Sequence, residues 1–241
     1  MFTFFSGILL QEQQRYDEAL ASYKAAIRFR PRLASAYLNM GYVYNLMNRH
    51  EKAIEMYELC ASIDGEGLKD PRTHERSRMS ALFNLGKLYA DQGEHRQALA
   101  VYRRATSKEN SQSYYQIHSL YNLIAESHTH LGEYEQAEEC YLKGLQLKPD
   151  HLPLHLTYAK FLQKVKRLDE AERWYLAARS LAPSDPSVLL HFGKCPLHGQ
   201  TEVDQQVQPL RKPFFCDQQS KFHLARPAGQ HAQKISEKKK S

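Results

Sequence analysis

The stretch Gln14-Arg15-Tyr16-Asp17-Glu18-Ala19-Leu20-Ala21-Ser22-Tyr23-Lys24-Ala25-Ala26-Ile27-Arg28-Phe29-Arg30-Pro31 decides the fold. Ala19 and Tyr23 stand one helical turn apart, and Pro31 ends a run that carries no other helix breaker. Twelve residues before Ala19 and sixteen before Tyr23 lies Gly7. The same comb recurs down the chain, because small residues stand at Gly7, Gly41, Gly86, Ala125, Ala159 and Gly193, at spacings of 34, 45, 39, 34 and 34. Ala53, Ala98, Ala137 and Ala171 follow the later small residues by twelve, and Tyr57, Tyr102, Tyr141 and Tyr175 follow them by sixteen. Pro149 and Pro183 fall where Pro31 does, and Gly65 and Asn110 take that place in the other two units.

Physically, such a comb describes two antiparallel helices per unit. The small residue lets the first helix approach the second, the alanine lets the second approach the next unit, and the tyrosine fills the space between. Short polar segments join the helices: Gln14-Arg15-Tyr16, Asn48-Arg49-His50, Gly93-Glu94-His95, Gly132-Glu133-Tyr134 and Lys166-Arg167-Leu168, the length expected of helix hairpins. The expectation is an all-α superhelical solenoid of five units, at about 1–33, 34–67, 79–112, 118–151 and 152–185. Extra residues at Glu66–Arg76 and around Asn110–Tyr114 are expected to lengthen loops. A sixth unit opens at Asp185 and is cut short by Pro196 just past Gly193. The comb resembles the tetratricopeptide repeat, whose period is about 34 residues, over residues 1 to about 193.

Charge divides the chain at the same place. Of 33 Lys and Arg and 27 Asp and Glu, 9 and 4 fall in residues 194–241, which leaves 24 against 23 in residues 1–193. The repeats are nearly neutral, and residues 194–241, with eight Gln and no apolar period, are expected to be a disordered basic tail. A neutral body excludes a phosphate-binding surface, so no nucleic acid is expected. Four scattered cysteines make no disulfide framework. The apolar opening Phe2–Leu10 is about half a membrane span and lacks the charged start of a signal peptide, so neither span nor leader is expected.

No catalytic constellation emerges. Gly-x-Ser-x-Gly, the phosphate loop, the dinucleotide glycine run and His-Glu-x-x-His are all absent, and no cofactor is implied. His151 and His155 form an i, i+4 pair with only Asp150 beside them, and Cys195, His198, Cys216 and His223 are irregularly spaced, so no metal is expected. Cys60 occupies a small-residue core slot and reads as inert packing.

Binding is the chemistry that a solenoid supplies, and first helices line its inner groove. Two residues before the small residue stand Asn39 and Asn84 in units two and three. Their carboxamides offer donors and an acceptor to a peptide backbone whatever its side chains, and the pair resembles a short piece of the asparagine ladder of O-linked glycosyltransferases. Phe5, Leu123 and Thr157 occupy the site in the other units, and Asn122 is one residue out of register. The carboxylate clamp of co-chaperone repeats is excluded, because its basic positions hold Phe4, Ser80 and Asn84.

Residues 14–31, together with the insertion Glu66–His74 leading into Leu85-Gly86-Lys87-Leu88-Tyr89, resemble the lumenal repeat region of the transmembrane and tetratricopeptide-repeat-containing O-mannosyltransferases. That resemblance implies a full-length endoplasmic reticulum enzyme that moves mannose from dolichyl phosphate mannose to Ser/Thr of proteins such as cadherins. This chain shows neither the hydrophobic spans nor the lumenal loop of such an enzyme. It is therefore expected to be a fragment or shortened isoform that binds a protein or peptide acceptor without being an enzyme by itself. The alternative is an independent cytosolic scaffold that binds an extended peptide.

Overall fold

The computed structural model describes residues 2–65, 67, 70–106 and 117–193, and among them it contains eleven α-helices and no strand. They run α1 (Phe2–Glu12), α2 (Tyr16–Phe29), α3 (Ala34–Leu46), α4 (His50–Ser62), α5 (Pro71–Asp91), α6 (His95–Thr106), α7 (Ile117–Leu131), α8 (Tyr134–Leu147), α9 (Leu152–Lys164), α10 (Leu168–Leu181) and α11 (Pro186–Gly193). The tail beyond 193, with its cysteines and lysines, lies outside the described residues.

Each odd helix packs on the even helix that follows it, and each even helix packs on the next odd one. Successive odd helices from α1 to α9 also touch. Successive even helices make no comparable contact among the described residues, so the odd helices form the inner layer and the stack curves toward them.

The comb forms the inter-helix core. Ala19, Ala53, Ala98, Ala137 and Ala171 are all completely buried, as are Tyr23, Tyr57, Tyr102, Tyr141 and Tyr175 to within 2%. A Cβ built on Gly7 or Gly41 would come within 2.6 Å of the Tyr23 or Tyr57 ring, and one on Gly86 would overlap Tyr102. In these three units the glycine backbone lies directly against the tyrosine ring, and a side chain would fit between them only if the ring or the helices shifted. Apolar burial divides into two clusters. Leu120 and Ile124 of α7 join the first, with α1 to α6, and Ala125 of the same helix joins the second, with α8 to α11.

All five hairpin turns are built alike. The residue seven past the small one adopts positive φ: Gln14 at 61°, Asn48 at 57°, Gly93 at 82°, Gly132 at 78° and Lys166 at 66°. Its N–H returns to the carbonyl three residues back and the next N–H to the carbonyl five back, as in Gly93 N to Ala90 O (2.9 Å) and Glu94 N to Tyr89 O (2.8 Å). This closes each first helix with the left-handed cap that satisfies its last carbonyls.

The insertion between units two and three differs from the loop expected. Its second half is helical, and α5 begins at Pro71 rather than near residue 79. Asp70 caps it by accepting a hydrogen bond from the Thr73 N–H at 3.0 Å, with Pro71 in the first helical position, where its missing N–H costs nothing. The added turns dock on the end of α4. Arg78 Nε donates to the Ala61 carbonyl (3.1 Å) and His74 Nε2 meets the Ile63 carbonyl (3.1 Å), so two side chains occupy carbonyls that the end of α4 leaves open.

Candidate functional site

The inner layer of odd helices carries every residue singled out for binding. Asn39 on α3 is half-buried, and its Nδ2 donates to the Tyr23 hydroxyl at 3.5 Å; that hydroxyl in turn donates to Gln11 at 3.0 Å. Burial pushes the Tyr23 phenol up to about 12. Asn84 on α5, also half-buried, has no side-chain hydrogen bond among the described residues, which leaves its amide open to a ligand. Asn122, one residue out of register, is turned to its neighbour and accepts from Thr157 Oγ1 of α9 at 2.5 Å. Lys164 Nζ adds a bond to the Thr129 carbonyl at 2.9 Å. The two amides chosen by spacing therefore occupy equivalent places on adjacent inner helices, and only Asn39 is tied to the core.

The tyrosines differ in a way that the comb conceals. Twelve residues before two of them stands a hydroxyl partner: Gln11 for Tyr23, and Gln163, which accepts from Tyr175 at 2.8 Å. Before Tyr102 that place holds Ala90, and the place from which Asn39 reaches Tyr23 holds Leu123. The Tyr102 hydroxyl is consequently buried without a partner.

One row on the same face escaped the sequence reading. The residues just past the small ones are Ile8, Tyr42, Lys87, Glu126 and Lys160, apolar in the first two units and charged in the last three. Glu126 is half-buried on α7, and burial pushes its carboxyl up while Lys160 and Lys87 pull it back. The signal was available at the position one past each small residue, but a charge on a helix usually marks a solvated face.

The histidines do not assemble a metal centre: among the described residues no three His, Cys, Asp or Glu converge. His155 packs its ring on Trp174 and meets the Pro149 carbonyl at 2.7 Å. His118 and His151 meet edge to face at 4.4 Å, and His95 and His130 stack at 4.4 Å. Burial and the neighbouring His118 push His151 down to about 4. Cys60 donates to the Ala34 carbonyl at 3.2 Å, and burial raises its thiol to about 12, which removes thiolate reactivity at neutral pH. Glu170 is held by Arg167 at 2.6 Å, as an ion pair rather than half of an acid-base pair.

Family models for the tetratricopeptide repeat match residues 8–48, 32–107 and 118–151, together more than half of the chain. The chain belongs to the tetratricopeptide-repeat family. Its repeat region is similar to protein O-mannosyl-transferase TMTC2 of Homo sapiens, at 44% identity over 56% of this chain and 16% of the relative. Drosophila melanogaster Tmtc2 is 36% identical over 78% of this chain and 24% of the relative. The chain thus spans between about a sixth and a quarter of these two transferases. Among solved structures it resembles Pseudomonas aeruginosa PilF (TM-score 0.63, 18% identity, 78% of this chain and 79% of that one). It also resembles YrrB, described as a tetratricopeptide-repeat protein with an unusual peptide-binding site (TM-score 0.56, 16% identity, 78% and 89%). Both are alike in fold alone. No described helix is long and apolar enough to cross a membrane.

Proposed function

We propose that this chain is the acceptor-binding repeat region of an endoplasmic reticulum O-mannosyl-transferase system and holds an extended protein segment against its inner helices. The observation that carries the reading is the 44% identity to TMTC2 across the repeats. Mannose transfer from a lipid donor would require parts of the transferase that the matched region does not include. By itself the chain binds and does not transfer.

Asn39 and Asn84 grip the backbone of the segment. Each carboxamide supplies both a donor and an acceptor, and two of them on neighbouring helices fix an extended chain without reading its sequence. Asn84 is free to do so, and Asn39 retains its carbonyl oxygen after donating to Tyr23. The test titrates the purified chain with an unstructured, Ser/Thr-rich acceptor segment. At about 0.5–1.5 kcal/mol per hydrogen bond, the double variant Asn39→Ala/Asn84→Ala is expected to bind about tenfold more weakly with unchanged circular dichroism. Unchanged affinity would remove the pair from the site, and mannosyl transfer by the chain alone would overturn the purely binding role.

A further inference from the structure

Lys87, Glu126 and Lys160 form a row of alternating charge across α5, α7 and α9, three consecutive helices of the inner layer. The two lysines are exposed and the carboxylate half-buried. None of the three side chains makes a hydrogen bond or an ion pair within 4 Å among the described residues, although both lysines act on Glu126 through space. Arg104 is bidentate on Glu58, and Arg167 bridges Glu138 and Glu170. The Glu126 carboxylate, half-buried and without a donor from the chain among the described residues, is open to a basic side chain from outside. Asp91 also acts on Glu126, in the sense opposite to the two lysines.

We propose that this row reads charge in the bound segment, selecting an extended chain that carries an acidic, a basic and an acidic side chain at three-residue spacing. The proposal rests on the inner face being the peptide site. The spacing follows from two general lengths. Packed helices lie about 8–10 Å apart, and a polyproline-type chain, with about three residues per turn and about 3.1 Å rise, presents every third side chain on one side at about 9 Å intervals. A segment in that conformation places its basic side chain over Glu126 and its two acidic ones over Lys87 and Lys160. Units one and two offer Ile8 and Tyr42 at the same position, so the charge requirement ends where the apolar part of the face begins.

The experiment uses the full 241-residue chain and two fluorescent Pro/Ser-rich peptides of equal length. One has Glu, Lys and Glu at every third position, and the other has the inverse order of charges. Anisotropy at low salt is expected to give about tenfold tighter binding of the first peptide, with the difference shrinking as salt rises. The triple variant Lys87→Glu/Glu126→Lys/Lys160→Glu, which reverses each charge of the row at two exposed positions and one half-buried one, is expected to exchange the preference. Equal binding of both peptides, a preference that the triple variant leaves unchanged, or no binding of either overturns the charge-reading row. Asn39→Ala/Asn84→Ala separates the two claims. If that variant weakens both peptides equally and neither is preferred, the backbone grip stands and the charge row fails. If it weakens neither while the preference persists, the row stands and the asparagine pair fails.

Discussion

The Cα of Gly86 lies so close to the ring of Tyr102 that a methyl group in its place would overlap the aromatic carbons. The two residues belong to different helices, α5 and α6, and their contact sets the distance between them. Gly86→Ala is therefore expected to lower stability by about 1–3 kcal/mol through overpacking, measured as a fall in the urea midpoint. The fourth and fifth units already carry alanine there, at Ala125 and Ala159, both fully buried. A neutral Gly86→Ala would show that α5 and α6 can part enough to admit a methyl group.

Tyr102 should tolerate loss of its hydroxyl. That group is buried without a partner, so Tyr102→Phe removes an unsatisfied polar atom and is expected to be neutral or stabilising by up to about 1 kcal/mol. Tyr175→Phe breaks a 2.8 Å bond to Gln163 and is expected to cost about 1 kcal/mol. Equal effects of the two substitutions would contradict the difference in partners.

Ala98 is fully buried at the junction with the next unit, whereas Gln97 beside it is exposed. Replacing Ala98 with Leu should destabilise by about 1–3 kcal/mol, and the same change at Gln97 should have almost no effect. Thermal melts of the two variants side by side test the register of the entire comb.

Acid should weaken units three to five before neutral pH is left far behind. His95, His118, His151 and His155 are all held below the usual histidine range, chiefly by burial. Around His151 stand His118, Lys148 and His155, which oppose its protonation, and Asp150, which favours it. The unfolded chain takes up protons near pH 6.5, whereas the fold resists them, to about pH 4 at His151. Stability from these groups is thus complete above pH 6.5 and is lost as pH falls from there toward 4. Urea midpoints at pH 7.5 and 5.0 should differ, and His118→Gln/His151→Gln should reduce the difference. A wild-type midpoint that stays constant across this range would sink the prediction.

The comb was legible because glycine, alanine and tyrosine recur for one steric reason, contact between helices, and sterics leave a pattern. Gly7, Ala19 and Tyr23 alone predict α1 and α2 and how they meet. The repeat register hides the added turns of α5, because it sets the unit boundary at residue 79 and reads the insertion as a loop, although Asp70-Pro71 followed by Thr73 is a helix-start signature. At the site, spacing found Asn39 and Asn84 on adjacent inner helices. It could not tell that Asn39 leans on Tyr23 while Asn84 is open, since that depends on Tyr57 and Tyr23 having different surroundings. The charged row is open to the same register, since Lys87, Glu126 and Lys160 each stand one past a small residue, but a charge on a helix usually marks a solvated face.

The two apolar clusters meet on α7. Ile124 packs with the helices before it and Ala125, a neighbour about 100° around the helix, packs with those after it. A cavity made at Ile124 and an overpacked side chain at Ala125 would therefore strain different sides of the one helix that carries Glu126.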